Sequence, residues 1–135
     1  MSRTSLGRAN KAAGDAFESF LDAQHTAALA MGYLGHIEHN QPHSKVIQGR
    51  VVYTRCGVAD YTGVLLNGQG SVLAAEAKST FADYLARAEV KLQQAQHLDA
   101  VHFAGGLAVL LIEYRRVGMP RRYAIKWADV PWQIL

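Results

Sequence analysis

Three residues have the types and spacing to do chemistry together: Asp60, Glu76 and Lys78. Glu76 and Lys78 are two apart, so on a strand they share a face while Ala77 points away. Two carboxylates and an amine at a sheet rim can hold a hard divalent cation and steady a developing oxyanion. The same residues also read as a surface strand carrying a Glu/Lys pair, because a bare Asp…Glu-x-Lys arises often by chance. The surrounding strand favours the chemical reading. Leu73, Ala75 and Ala77 face one way and Val72 and Ala74 the other, so both faces look buried, as in a central strand. Charges at the end of such a strand usually need a reason.

A hairpin positions these groups. Residues 64–66 are apolar, Asn67-Gly68-Gln69-Gly70 is rich in turn formers, and residues 72–75 are apolar again. Strong turn residues between two β-prone runs predict a hairpin. Closing it brings Asp60 and Glu76 together near one end, with Lys78 beside them.

The 135 residues suit one compact domain, and half of them are hydrophobic, which argues against disorder and against a coiled coil. A net charge of +3 is mildly basic and compatible with nucleic acid. Cys56 is the lone cysteine, so no internal disulfide can form, and a reducing cytoplasm is the expected setting. The longest apolar stretch, residues 107–112, is too short to span a bilayer. The basic N-terminus has no adjacent apolar region of the kind a signal peptide needs.

Residues 1–10, with Arg3 and Arg8, read as a flexible basic arm or a frayed terminus. Residues 11–33 read as a helix with an apolar face of Phe17, Phe20, Leu21, Ala28, Leu29 and Met31, ended by Gly32 and Gly35. Glu18 flanks that face, and on spacing alone it is a solvated glutamate. Residues 33–39 read as a short strand, 40–43 as a turn, and 46–55 (VIQGRVVYTR) as a β-rich run whose basic residues, with Lys45, are Arg50 and Arg55. His36, His39 and His43 invite a zinc reading, but Gly35 and Pro42 oppose the helix that would align them, and on a strand His36 and His39 face opposite ways. Solvated or DNA-facing histidines are the better expectation, and Cys56 reads as a small buried residue. Residues 81–104 read as a second helix. Leu85, Ala88, Leu92 and Ala95 form its apolar stripe, and Arg87, Lys91, Gln94 and Leu98 the neighbouring one. That second stripe puts Gln94 at the catalytic end and two cations against phosphates, or else is a solvated basic face. After Gly105-Gly106 come an interior strand (LAVLLIEY, 107–114), a basic turn, a strand at 122–127 and an apolar tail that docks Trp132. The order predicts an α/β domain over residues 11–135, with a small mixed sheet flanked by helices.

Taken jointly, Asp60-Tyr61-x-Gly63, Glu76-Ala77-Lys78, Gln94-x-x-His97-Leu98 and Gly105-Gly106-x-Ala108 before an apolar strand resemble the RecU-type Holliday junction resolvases of the PD-(D/E)xK nuclease superfamily. Gly14-x-x-Phe17-Glu18 resembles the family's first helix. The resemblance runs from about Gly14 to Trp127 and implies a restriction-endonuclease-like core. It implies that Asp60 and Glu76 bind Mg²⁺ (or Mn²⁺) with help from the Ala77 carbonyl, and that Glu18 binds it directly or through water. Lys78 would orient or activate the attacking water, and Gln94 would position Lys78 or the water. The chain departs from the family in having Gln93 where a histidine is usual and Ala59 before Asp60. It is also short between Glu38 and Gly57, where relatives carry a stalk; a compact phage- or prophage-type member would fit that brevity.

The resemblance further implies a homodimer acting on branched double-stranded DNA. Lys45, Arg50, Arg55, Arg87, Lys91, Arg3 and Arg8 are the cations available to the phosphates. Two alternatives remain: a nuclease of the same fold acting on another DNA substrate (repair, flap or restriction type), and a DNA-binding module of this fold without catalytic activity.

Overall fold

A computed structural model describes residues 3–32, 34–40, 44–53, 59–65, 71–116 and 118–130. The elements are α1 (Arg3–Ala30), β1 (Leu34–His39), β2 (Ser44–Ile47), β3 (Arg50–Tyr53), β4 (Tyr61–Leu65), β5 (Val72–Thr80), a 3-10 turn (Arg87–Glu89), α2 (Leu92–Phe103), β6 (Leu107–Tyr114), β7 (Arg121–Lys126) and a second 3-10 turn (Trp127–Asp129). Five strands form one mixed sheet in the order β1-β4-β5-β6-β7, and β2 and β3 pair separately. Only β5 and β6 run parallel within the described sheet, as a pair joined through a helix must. This is the expected α/β architecture, with the two helices and mixed sheet of a small restriction-endonuclease-like core.

Alternation along the central strands builds two cores. On one face Ala74, Ala108, Leu110 and Ile112 pack with Leu98 of α2, Leu85, Val90 and Trp127. On the other, Ala75 joins Tyr61, Phe17 and Leu21, flanked by Ala77, Val109 and Leu111. Successive residues of β5 and β6 thus point to opposite faces, both of them covered. Ala13, Phe17 and Leu21, at i, i+4 and i+8, form the buried stripe of α1. Trp127 ties the end of the sheet to α2 by donating from Nε1 to Asp99 Oδ1 at 2.7 Å.

Two expectations need correction. The segment read as a basic arm is helical from Arg3, because Leu6, Arg8, Ala9, Lys11, Ala12 and Ala13 are strong helix formers and no proline interrupts them. Residues 81–91 do not continue α2. Leu85 and Val90 are both buried in the same core, yet five residues of helix would turn them about 140° apart, so a non-helical link is what buries both. The stripe through Leu85, Ala88 and Leu92 therefore does not exist, and Leu92 is exposed. The run over 46–55 is β-rich as read: its described part holds the end of β2, a two-residue turn at Gln48-Gly49 and β3, with Ile47 opposite Arg50. Both turn residues have positive φ, 52° and 74°, the geometry that matches the twist of a tight hairpin.

The predicted hairpin of β4 and β5 is present, with Tyr61 opposite Ala75 and Val64 opposite Val72. Its turn at residues 67–70, together with Arg55, Cys56, His43 and the tail from residue 131, lies outside the described residues, as do the side chains of Arg3 and Lys45. Among the described residues no helix is long and apolar enough to cross a membrane.

Gly63 fixes how closely β1 approaches β4. A Cβ there would lie 2.1 Å from the His36 carbonyl oxygen and 2.9 Å from Ile37 Cα, both backbone atoms that cannot swing aside. Gly63→Ala is therefore expected to destabilise the fold by about 1–3 kcal/mol, the usual range for overpacking. A thermal midpoint lower by several degrees would bear this out, and an unchanged midpoint would contradict the tight β1–β4 approach.

Candidate active site

The site arises where one strand outruns its neighbour. β4 pairs with β5 only as far as Tyr61 opposite Ala75, whereas β5 continues to Thr80 along β6. Past Ala75 the β4 side of β5 has lost its ladder partner. Asp60 fills that place, accepting a hydrogen bond at Oδ2 from the Ala77 backbone N–H at 2.9 Å. In return the Asp60 backbone N–H points to Glu76 Oε2 at 3.4 Å. Asn40 pins the approach to Asp60: its backbone N–H donates to the Asp60 carbonyl at 2.7 Å, and its Nδ2 donates to the Ala59 carbonyl at 2.9 Å and to Thr62 Oγ1 at 3.0 Å.

Glu76 and Lys78 leave β5 on the α2 face and meet the first turn of that helix. Gln94, the third residue of α2, has its amide fixed by three bonds. Its Oε1 accepts from the Lys91 backbone N–H at 2.9 Å, as in a capping box, and from Lys78 Nζ at 3.0 Å, while its Nε2 donates to Glu76 Oε1 at 2.7 Å. Lys78 Nζ lies 3.9 Å from Glu76 Oε1. Glu18 enters the same cleft, of about 260 Å³, from α1, together with Lys11 and Asp15.

The structure thus brings Asp60, Glu76, Ala77, Lys78, Gln94 and Glu18 around one cleft. The cations offered for phosphates are more scattered. Arg8 is exposed on the early turns of α1, Arg50 at the tip of the β2–β3 hairpin, Arg87 in the 3-10 turn and Lys91 at the entrance to α2. Arg87 and Lys91 therefore do not share a helical stripe with Gln94.

Several site residues escaped the sequence reading. Lys11, Asp15 and Asp22 recur with the expected Glu18 at i, i+4, i+7 and i+11, a polar stripe beside the apolar one that marks this face of α1. Asp15 pairs with Lys11 at 2.8 Å. His39 is neither solvated nor turned to a ligand surface. Its Nε2 lies 3.3 Å from Glu18 Oε1 and its Nδ1 3.1 Å from Asp22 Oδ2, and its ring stacks on Tyr61 at 4.6 Å. Tyr61 in turn donates to Asp22 Oδ1 at 3.0 Å and to the Glu18 carbonyl at 3.1 Å, so β1, β4 and α1 are laced together behind Glu18. His36 instead is exposed and pairs with Glu38, and among the described residues no three His, Cys, Asp or Glu side chains group to hold a metal.

The electrostatics follow from burial and from the close approach of carboxylates. Glu76 is only 1% exposed. Burial, then the charge of Asp60, pushes its carboxyl up to about 8, against the smaller opposing effect of Lys78. Glu18 is also raised, by burial first and Asp60 second. Burial, and then the bond to Asp22, raises the Tyr61 phenol far above its usual range, so it remains a neutral donor. Two carboxylates forced together with too little positive charge are what a cation would relieve.

A carboxyl raised above its unfolded value of 4.5 keeps its proton in the folded state longer than in the unfolded one. Its stabilising contribution is complete below 4.5 and is lost as pH rises through about 8. In chelator-treated protein the thermal midpoint should fall over that window, and Glu76→Gln should flatten the fall. A midpoint that rises over the window, or a fall of equal size in the variant, would contradict the assignment.

Comparison with curated proteins gives no match. A family model described as RecU, recombination protein U, matches residues 34–132, from β1 through the second 3-10 turn. Asp60, Glu76, Lys78 and Gln94 fall inside the match, and Glu18 on α1 precedes it. With well over half of its length matched, the chain belongs to the RecU family.

Proposed function

We propose that this chain is a divalent-metal-dependent, structure-selective endonuclease that cuts phosphodiester bonds in branched DNA as a Holliday junction resolvase. The observation that carries the reading is the meeting of Asp60, Glu76 and Gln94-held Lys78 at the unpaired end of β5, in a chain of a family that acts on DNA junctions.

The donor set suits a hard cation such as Mg²⁺ or Mn²⁺. It is made of carboxylate and carbonyl oxygens, and the Glu76 carboxyl, raised by burial first and by the charge of Asp60 second, is a group whose charged form a cation would stabilise. Asp60, Glu76 and the Ala77 carbonyl would hold the ion, and Glu18, turned toward His39, would reach it through water. When bound, such a cation neutralises phosphate charge and acidifies water. The chain's own residues supply the rest. Lys78, fixed by Gln94 Oε1, presents N–H donors to the phosphate oxygens as charge grows on them in the transition state. Gln94 ties that ammonium and the Glu76 carboxylate to one amide, so donor and anion keep a fixed relation without substrate. A homodimer with two such sites would cut opposed strands, and a two-fold pair is the common way to build one. The β2–β3 hairpin has only four residues per strand, which favours as a second reading the same nuclease acting on flaps or other DNA structures.

Lys78→Ala is expected to keep the fold and to bind a four-way junction normally while losing cleavage roughly a hundredfold or more. Wild-type cleavage rates in that variant would remove Lys78 from the mechanism. Mg²⁺ should raise the thermal midpoint of the wild type at pH 8 and leave Asp60→Asn unmoved. Equal shifts in both proteins would place the cation elsewhere.

A further inference from the structure

The cleft presents a difficulty for a nuclease. Its lining carboxylates, Asp15, Glu18, Asp60 and Glu76, outnumber its ammonium groups, Lys11 and Lys78. A DNA strand entering it needs positive charge close by. Directly beside the cleft, on the α1 face of the sheet, Glu113 of β6 is completely buried, and a lone buried carboxylate is costly. It is held on three sides. Ser79, which lines the cleft next to Lys78, donates from Oγ to Glu113 Oε1 at 3.1 Å. Arg122 of β7 donates from Nε to Glu113 Oε2 at 2.8 Å, and Arg115 forms an ion pair with Oε1 through its own Nε. The Arg122 guanidinium also lies 3.8 Å over the ring of Phe20 on α1, which fixes its plane.

Two features distinguish this cluster from a structural ion pair. One carboxylate faces two guanidinium groups, leaving net positive charge. Both arginines also turn Nε inward, and among the described residues their terminal nitrogens make no hydrogen bond. The Nη1/Nη2 edge is a planar fork suited to a phosphate, and Arg122 keeps about a third of its side chain exposed.

We infer that Arg122 and Arg115 form a phosphate clamp for the DNA strand beside the cleft, with Glu113 as the positioning residue that aims both forks and Ser79 as the link to the strand carrying Lys78. The inference rests on the proposed function, and it adds a contact absent from the cations picked out in the sequence. Arg115 directly follows β6 and Arg122 is the second residue of β7, paired with Glu113 in the ladder, so the clamp needs that hairpin in place.

The test is binding of a fluorescent four-way junction, with Ca²⁺ as the divalent cation, across a range of salt concentrations. Arg122→Gln should weaken binding several-fold and lower the slope of log affinity against log salt by about one per protomer. Arg122→Lys, which keeps the charge without the fork, should restore the slope but not the full affinity. Because Arg122→Gln leaves Glu113 short of a partner, Glu113→Gln/Arg122→Gln removes both groups and should show the same loss of slope in a folded protein. Wild-type affinity and slope in the double variant would overturn the clamp while leaving the nuclease reading intact. A wild-type protein that binds neither junction nor duplex would overturn the proposed function and the clamp with it.

Discussion

The site depends on a mismatch in strand length. β5 is nine residues long and β4 five, so β5 runs past its antiparallel neighbour while β6 still supports its other edge. The backbone N–H of Ala77 is left without a ladder partner, and Asp60 takes it. That bond puts a carboxylate beside Glu76, whose alternation on the strand points it to the α2 face and whose burial raises its pKa. Had β4 continued two residues further, Asp60 would be a ladder residue and no gap would exist at the rim. The chemistry of the cleft thus follows from ordinary backbone satisfaction at the end of a sheet.

The helices complete what the strands begin. Gln94 serves two purposes with one amide: it caps the first turn of α2 and fixes the side chains of Glu76 and Lys78. Orientation of the site is therefore tied to the start of a helix whose Leu98 is fully buried in the core. From the opposite face α1 contributes Glu18, restrained by His39 and by the Tyr61 and Asp22 pair behind it. Glu18, Asp60 and Glu76 thereby reach the cleft from α1, from the approach to β4 and from β5, and the negative charge they concentrate with Asp15 is offset only in part by Lys11 and Lys78.

Much of this was legible in the chain. Turn residues between two β-prone runs gave the β4–β5 hairpin, and strand alternation put Glu76 and Lys78 on one face with Asp60 near them. Gln94 was legible through its place in a motif series, although the helix assumed to carry it was eleven residues too long at its start. That error has a physical origin: Leu85, Ala88, Leu92 and Ala95 are spaced as a helix stripe, but one core buries Leu85 and Val90 together, and tertiary burial overrode local pattern. The early turns of α1 were misread because basic, serine-containing composition resembles a tail even where helix formers dominate. His39 was legible only as one of three histidines, since its partners on α1 lie 17 and 21 residues away in sequence. Glu113 could not be found from the sequence at all. Within an apolar strand nothing marks a glutamate as the partner of arginines that follow it until the β6–β7 register is known.

Cleavage of a labelled four-way junction beside the matching linear duplex, in Mg²⁺ and in EDTA, with wild type and Asp60→Asn, tests the central claim most directly. Paired symmetric nicks in the junction alone, lost with EDTA and in the variant, are the result this account predicts. Tight junction binding with no cleavage under any divalent cation would contradict it.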